Sequence, residues 1–194
     1  MLRYIIVTYT LLLSFAASAD QHQDIAFSAS EVFSVTTTDW NKDEIADPVM
    51  ILNINDGEQF YVLFFLSDEY GRLALKHHVA DMVWGSSVMF GQEPWVTTSQ
   101  NGSVIVGSQN SAIGRNRWEQ KLTIAYRNDE LIVAGFTYTH YDTLDPNAYG
   151  GCDFNLLTGK GFKNEQPIKF DINVMTVAEF ASGGQNLPDF CYSD

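Results

Sequence analysis

The chain reads as a mainly β, single-domain protein whose antiparallel meanders form two blade-like packed sheets. Three observations predict this. Residues 118–127 alternate: Trp118, Gln120, Leu122, Ile124 and Tyr126 fall on one side, and Glu119, Lys121, Thr123 and Arg127 on the other, the period of a half-buried strand. Residues 60–66 are apolar on both strand faces, so that strand needs cover on both sides. No segment carries a helical period of any length, and turn dipeptides such as Asp56-Gly57 and Asn101-Gly102 recur between the apolar runs, as between hairpin strands.

In chain order, residues 1–19 have the pattern of a secretory signal peptide. Arg3 supplies the positive start, 4–16 are largely apolar, and Ala17-Ser18-Ala19 is a small-x-small cleavage site. The apolar run is too short for a membrane span, and no second run of that length follows. The domain division is therefore a leader at 1–19 and one β domain at 20–194, exported to the periplasm or secreted. Residues 20–30 are polar and aperiodic. A strand is expected at 31–38, a second at 49–54, the doubly apolar one at 60–66 and a fourth at 72–79, together one meander. The second half repeats the style, with a hairpin at 95–99 and 103–108, a Gly/Ser/Asn-rich loop to 116, and long strands at 118–127 and 131–141. A Gly/Pro/Asn-rich loop is expected at 142–151, shorter strands at 154–157 and 161–170, and a single helical turn at 176–180.

Asp and Glu number 24 against 11 Lys and Arg, a formal net charge of -13. Such a surface repels nucleic acid and anionic lipid, so the expected partner is a protein or a glycan. Two cysteines, Cys152 and Cys191, suggest one disulfide in an exported chain. It would close a loop of about 40 residues, worth about 3–4 kcal/mol in the chain-entropy model.

The specific chemistry lies between the first two strands. Oxygen-bearing side chains recur at alternate positions, Asp39, Asn41, Asp43 and then Asp47, with Ile45 in the remaining odd place. Hard cations such as Ca²⁺ take six to eight oxygens from side chains and carbonyls, and a looping chain can aim alternate side chains at one ion. The same spacing also suits a solvated acidic turn held by Asx hydrogen bonds.

Residues 35–51, strand, acidic loop and strand, resemble the FG-GAP and VCBS-type repeats of integrin-like propellers and secreted bacterial proteins. The resemblance implies a Ca²⁺ loop joining adjacent strands of one blade. Asp39, Asn41, Asp43 and Asp47 would supply side-chain oxygens and Ile45 its carbonyl, while Pro48 stands where those repeats enter the next strand. Two features depart from the pattern. Glu44 stands where the repeats carry Gly, at a position that favours a left-handed backbone, and the loop occurs once. Residues 137–160, with Tyr141-Asp142-Thr143 and 155–160, resemble another group of exported bacterial proteins, a resemblance that implies no activity.

Other constellations are weaker. His77 and His78 are adjacent, so on a strand they point to opposite faces and do not share an ion. There is no Gly-x-Ser-x-Gly elbow and no phosphate-binding glycine motif. Asp142, Asp145 and Asp153 are candidates for paired-carboxylate chemistry with Glu93 or Glu119, but spacing does not fix their separation. Trp84, Trp95, Trp118, Tyr126, Tyr138 and Tyr141 suit either a core or a binding face; alternation with Leu122 and Ile124 assigns Trp118 to the core. The expectation is an exported, non-catalytic β-domain with one structural calcium loop and a binding or envelope role. The alternatives are a secreted hydrolase acting on glycans and a carbohydrate-binding module using exposed tryptophans.

Overall fold

A computed structural model describes residues 25–54, 59–171, 173–181, 187 and 189–192. The leader expected at 1–19 and the Asp56-Gly57 turn lie outside the described residues. The rest is mainly β, in two open antiparallel sheets. The first sheet is a meander of β1 (Val32–Thr38), β2 (Asp47–Ile54), β3 (Gln59–Ser67) and β4 (Leu73–Ala80), in that spatial order. The second holds β5 (Trp95–Thr98), β6 (Val104–Asn110), β7 (Asn116–Arg127), β8 (Glu130–Asp142), β9 (Tyr149–Asn155), β10 (Lys160–Lys163) and β11 (Gln166–Lys169) as consecutive neighbours. A two-residue strand, β12 (Met175–Thr176), pairs with β8 at Ile132 and Val133. The helix α1 (Val177–Ala181) follows at once, as the single helical turn expected there.

The doubly apolar strand is β3, held between β2 and β4. Its consecutive residues Val62, Leu63 and Phe64 are all 0% exposed, so both faces are covered. Val49 and Ile51 of β2 and Val62, Phe64 and Val79 of the first sheet join Val106, Leu122, Ile124, Phe136 and Phe154 of the second in one core. Each such side chain contributes about 1.5–3 kcal/mol on leaving water. The sheets approach along β1 and β5, where the Val96 N–H donates to Ser34 Oγ at 3.3 Å.

The second sheet is larger than a four-stranded unit, and its last strands differ from the expectation. Strand β9 begins at Tyr149, inside the segment expected to be loop. The residues that suggest a loop, Gly150 and Gly151, serve the strand: a Cβ on Gly151 would stand 2.6 Å from the Tyr138 carbonyl of the neighbouring β8. Residues 161–170 form two strands, because Asn164 (φ 47) and Glu165 (φ 65) turn the chain through the left-handed region. Cys152 on β9 is bonded to Cys191, with Cα atoms 5.6 Å apart. This fastens a C-terminal 3₁₀ turn, Asp189–Tyr192, over Phe136 and Phe154, which meet the rings of Tyr192 and Phe190.

Candidate metal centre

The acidic loop closes between paired residues, since Thr38 and Asp47 are cross-strand partners in the β1–β2 ladder. Its side chains fold back on its own backbone. The Asp43 N–H donates to Asp39 Oδ1 at 3.0 Å and to Asn41 Oδ1 at 3.1 Å, and the Glu44 N–H donates to Asp39 Oδ2 at 3.0 Å. The Ile45 N–H donates to Asp43 Oδ1 at 2.9 Å, and the Asn41 amide donates to Asp43 Oδ2 at 2.8 Å. These Asx bonds satisfy backbone donors that no ladder reaches. The path requires left-handed backbone at Lys42 (φ 67) and at Glu44 (φ 71). A side chain there costs about 1–2 kcal/mol relative to right-handed backbone.

Asp47 differs from the other acids. On β2 it shares the inward face with Val49 and Ile51, two and four residues on, and it is 0% exposed. Its Oδ1 accepts the Ser67 N–H at 2.8 Å. Its Oδ2 is buried and has no hydrogen-bond partner. Burial pushes the carboxyl above the usual carboxylate range, and the charges of Asp43 and Asp39 push it the same way; the backbone amides of Ser67 and Trp40 oppose them. A buried carboxylate oxygen without a partner carries a desolvation penalty of about 1–3 kcal/mol or more.

Asp39, Asn41 and Asp43 are therefore knit into one loop, and Asp47 lies close enough to feel two of their charges. The Ile45 side chain is half-buried. Among the described residues, no three His, Cys, Asp or Glu side chains stand close enough together to hold an ion as they are. Asp39, Asp43 and Asp47 are thus not gathered into one ion-holding group in this structure, and the Asn41 amide and the Ile45 carbonyl complete the set expected from the sequence. The buried Oδ2 of Asp47, which makes no hydrogen bond of its own, is what fits a cation. Sequence spacing does not reveal Ser67, which lies 20 residues away in sequence and locks Asp47 from β3. Its hydroxyl also donates to the Ala46 carbonyl at 2.7 Å. Behind the loop, buried Trp40 packs edge-on against Tyr126 with centroids 4.9 Å apart.

The other candidates separate. His77 points into the core side of β4 beside Phe64, its cross-strand partner, and its Nε2 lies 3.8 Å from Glu130 Oε2. Burial holds its pKa below the usual histidine value. Asp142 is paired with Arg115 at 2.6 Å and caps the Leu144 N–H, Asp145 caps the Asn147 N–H, and Asp153 accepts from Thr137. Each of these acids has its own local partner. Trp40 is buried, and Trp118 is half-buried rather than in the core, between Trp84 and Tyr138 at 5.1 and 6.4 Å. The aromatics on the surface include Tyr141, Tyr149 and Phe162. No family model matches the chain, and neither a curated protein nor a solved structure shows significant similarity to it.

Proposed function

We propose that the chain is an exported, non-catalytic β-domain that binds a partner outside the cytosol and holds one structural Ca²⁺ in its 39–47 loop. The observation that carries the cation is Asp47 Oδ2, buried without a partner, on a carboxyl whose pKa the charges of Asp43 and Asp39 help to raise. A divalent cation turns mutual repulsion among these carboxylates into attraction. Asp39, Asn41, Asp43 and Asp47 supply side-chain oxygens and Ile45 its carbonyl, as in the FG-GAP and VCBS-type loops that 35–51 resembles. Export is supported by the Cys152–Cys191 disulfide, a bond that persists in oxidising compartments. Among the described residues, no helix is long and apolar enough to cross a membrane.

Thermal melting tests the reading. An ion that binds only the folded state stabilises by RT ln(1 + [L]/Kd), about 2.7 kcal/mol at a hundredfold excess over Kd. Melting is expected to rise in millimolar CaCl₂, to rise less in MgCl₂, whose octahedral demand suits the loop poorly, and to fall in chelator. Asp43→Ala is expected to abolish the calcium response. A melting temperature equal in calcium and chelator would leave an acidic Asx turn and nothing more.

A further inference from the structure

On β9, Tyr149, Gly151 and Asp153 share the face turned away from the core, since Cys152 and Phe154 between and beyond them are buried. Cross-strand pairing sets Thr139 beside Gly151, and Thr137 and Phe162 on either side of Asp153. Gly151 brings no side chain to this face, so the surface sinks between Tyr149 and Asp153. A groove of about 790 Å³ opens there, within the usual range for ligand sites. Tyr149 (72% exposed) and Phe162 (53%) stand at its ends, about 14 Å apart along the strand direction.

We propose that this groove binds a neutral oligosaccharide. This deepens the binding role proposed above by naming the ligand class, and it uses strands other than those that carry the acidic loop. A sugar offers a C–H face that stacks on exposed aromatic rings, and hydroxyls that both donate and accept. The groove matches both demands. The two rings supply the stacking surfaces. Asp153 commits Oδ1 to the Thr137 hydroxyl at 3.2 Å, and its other oxygen is left to accept. Asn164 commits its oxygen to the Gly151 N–H at 2.8 Å, and its amide nitrogen is left to donate. Among the described residues, the lining contains no Lys or Arg, and Asp153 and Glu165 are its charged groups, so phosphorylated, sulfated or uronic ligands are repelled. Strand β9 is paired on both sides, by β8 and β10, so it offers no free backbone edge to a peptide that adds as a strand.

The test is affinity electrophoresis of the protein in native gels containing hydroxyethylcellulose, glucomannan, arabinoxylan or laminarin, with anionic alginate as a control. Retardation by at least one neutral polymer and not by alginate is expected. Calorimetry with the matching hexasaccharide is then expected to show Tyr149→Ala and Phe162→Ala each weakening binding about tenfold, and Asp153→Asn weakening it as well. Calcium-dependent melting should be unchanged in these variants, so failure of the cation reading and failure of the groove are read separately. The proposal is overturned by any of three results: no retardation in all four neutral polymers, retardation unaffected in the Tyr149→Ala/Phe162→Ala double variant, or binding of hexalysine at the same residues without binding of any sugar.

Discussion

Asp47 at the start of β2 is held by Ser67 at the end of β3, which also bonds the preceding residue, Ala46. The Ser67 N–H donates to Asp47 Oδ1 at 2.8 Å, and the Ser67 hydroxyl donates to the Ala46 carbonyl at 2.7 Å. The pair fixes one carboxylate oxygen and leaves the other buried and without a partner. Asp47→Asn keeps the acceptor for Ser67 and removes the charge that Asp39 and Asp43 repel. In chelator this variant is expected to be more stable than the parent by about 1 kcal/mol, since an uncompensated buried charge is lost. For a chain of this size that is a rise of about 2–4 °C. In calcium the order should reverse, because a charged ligand has gone. Melting curves in chelator and in calcium check both signs; a variant less stable in both would sink the idea.

Glu44 occupies left-handed backbone at φ 71, a conformation that glycine adopts without steric cost. Glu44→Gly is expected to stabilise the protein by about 1 kcal/mol, the relief of left-handed strain less the entropic cost of glycine in the unfolded chain. The urea midpoint should rise with its slope unchanged. If it falls instead, the Glu44 side chain makes a favourable interaction that outweighs the strain.

The acidic loop was legible in the sequence because its signal is local: five alternate positions between two strands. Less was legible of Asp47, expected as a loop ligand ahead of a strand at 49–54, whereas β2 begins at Asp47 and turns it inward with Val49 and Ile51. Ser67 was not legible, because its contact with Asp47 depends on the β2–β3 register and on no local pattern. The groove was hidden for a different reason. Gly150 and Gly151 carry low strand propensity, so 142–151 reads as loop, whereas close approach to the Tyr138 carbonyl is what requires glycine at 151. The hairpin at Asn164-Glu165 was likewise missed, as two non-glycine residues at positive φ leave no glycine signal.

The Cys152–Cys191 bond spans 39 residues of sequence. Reduction, or replacement of both cysteines by serine, is expected to cost about 3–4 kcal/mol through the freed chain entropy of the unfolded state. The 3₁₀ turn that carries Phe190 and Tyr192 should loosen at the same time, opening Phe154 and Phe136 to solvent. A lower urea midpoint together with faster amide exchange in β9 would bear this out. An unchanged midpoint after verified reduction would show that packing of Phe190 and Tyr192 holds the turn without the bond.

His77 provides a pH prediction that does not involve the cation. Burial lowers its pKa below 6.5; Lys76 and His78 act in the same direction, and Glu130 at 3.8 Å opposes them. The unfolded chain takes up the proton at a higher pH than the folded one, so unfolding binds protons in the window between the lowered value and 6.5. Stability from this group is therefore fully present above about pH 6.5 and is lost as pH falls through that window. His77→Leu suits a position beside Phe64 and carries no proton, so its melting temperature should fall less between pH 7 and pH 5 than the parent's. Glu130→Gln removes the opposing charge and should make the fall steeper. Acidic residues contribute equally to the slopes of parent and His77→Leu, so the difference between the two isolates His77. Parallel melting profiles for parent and His77→Leu across that range would rule out His77 as the group that titrates there.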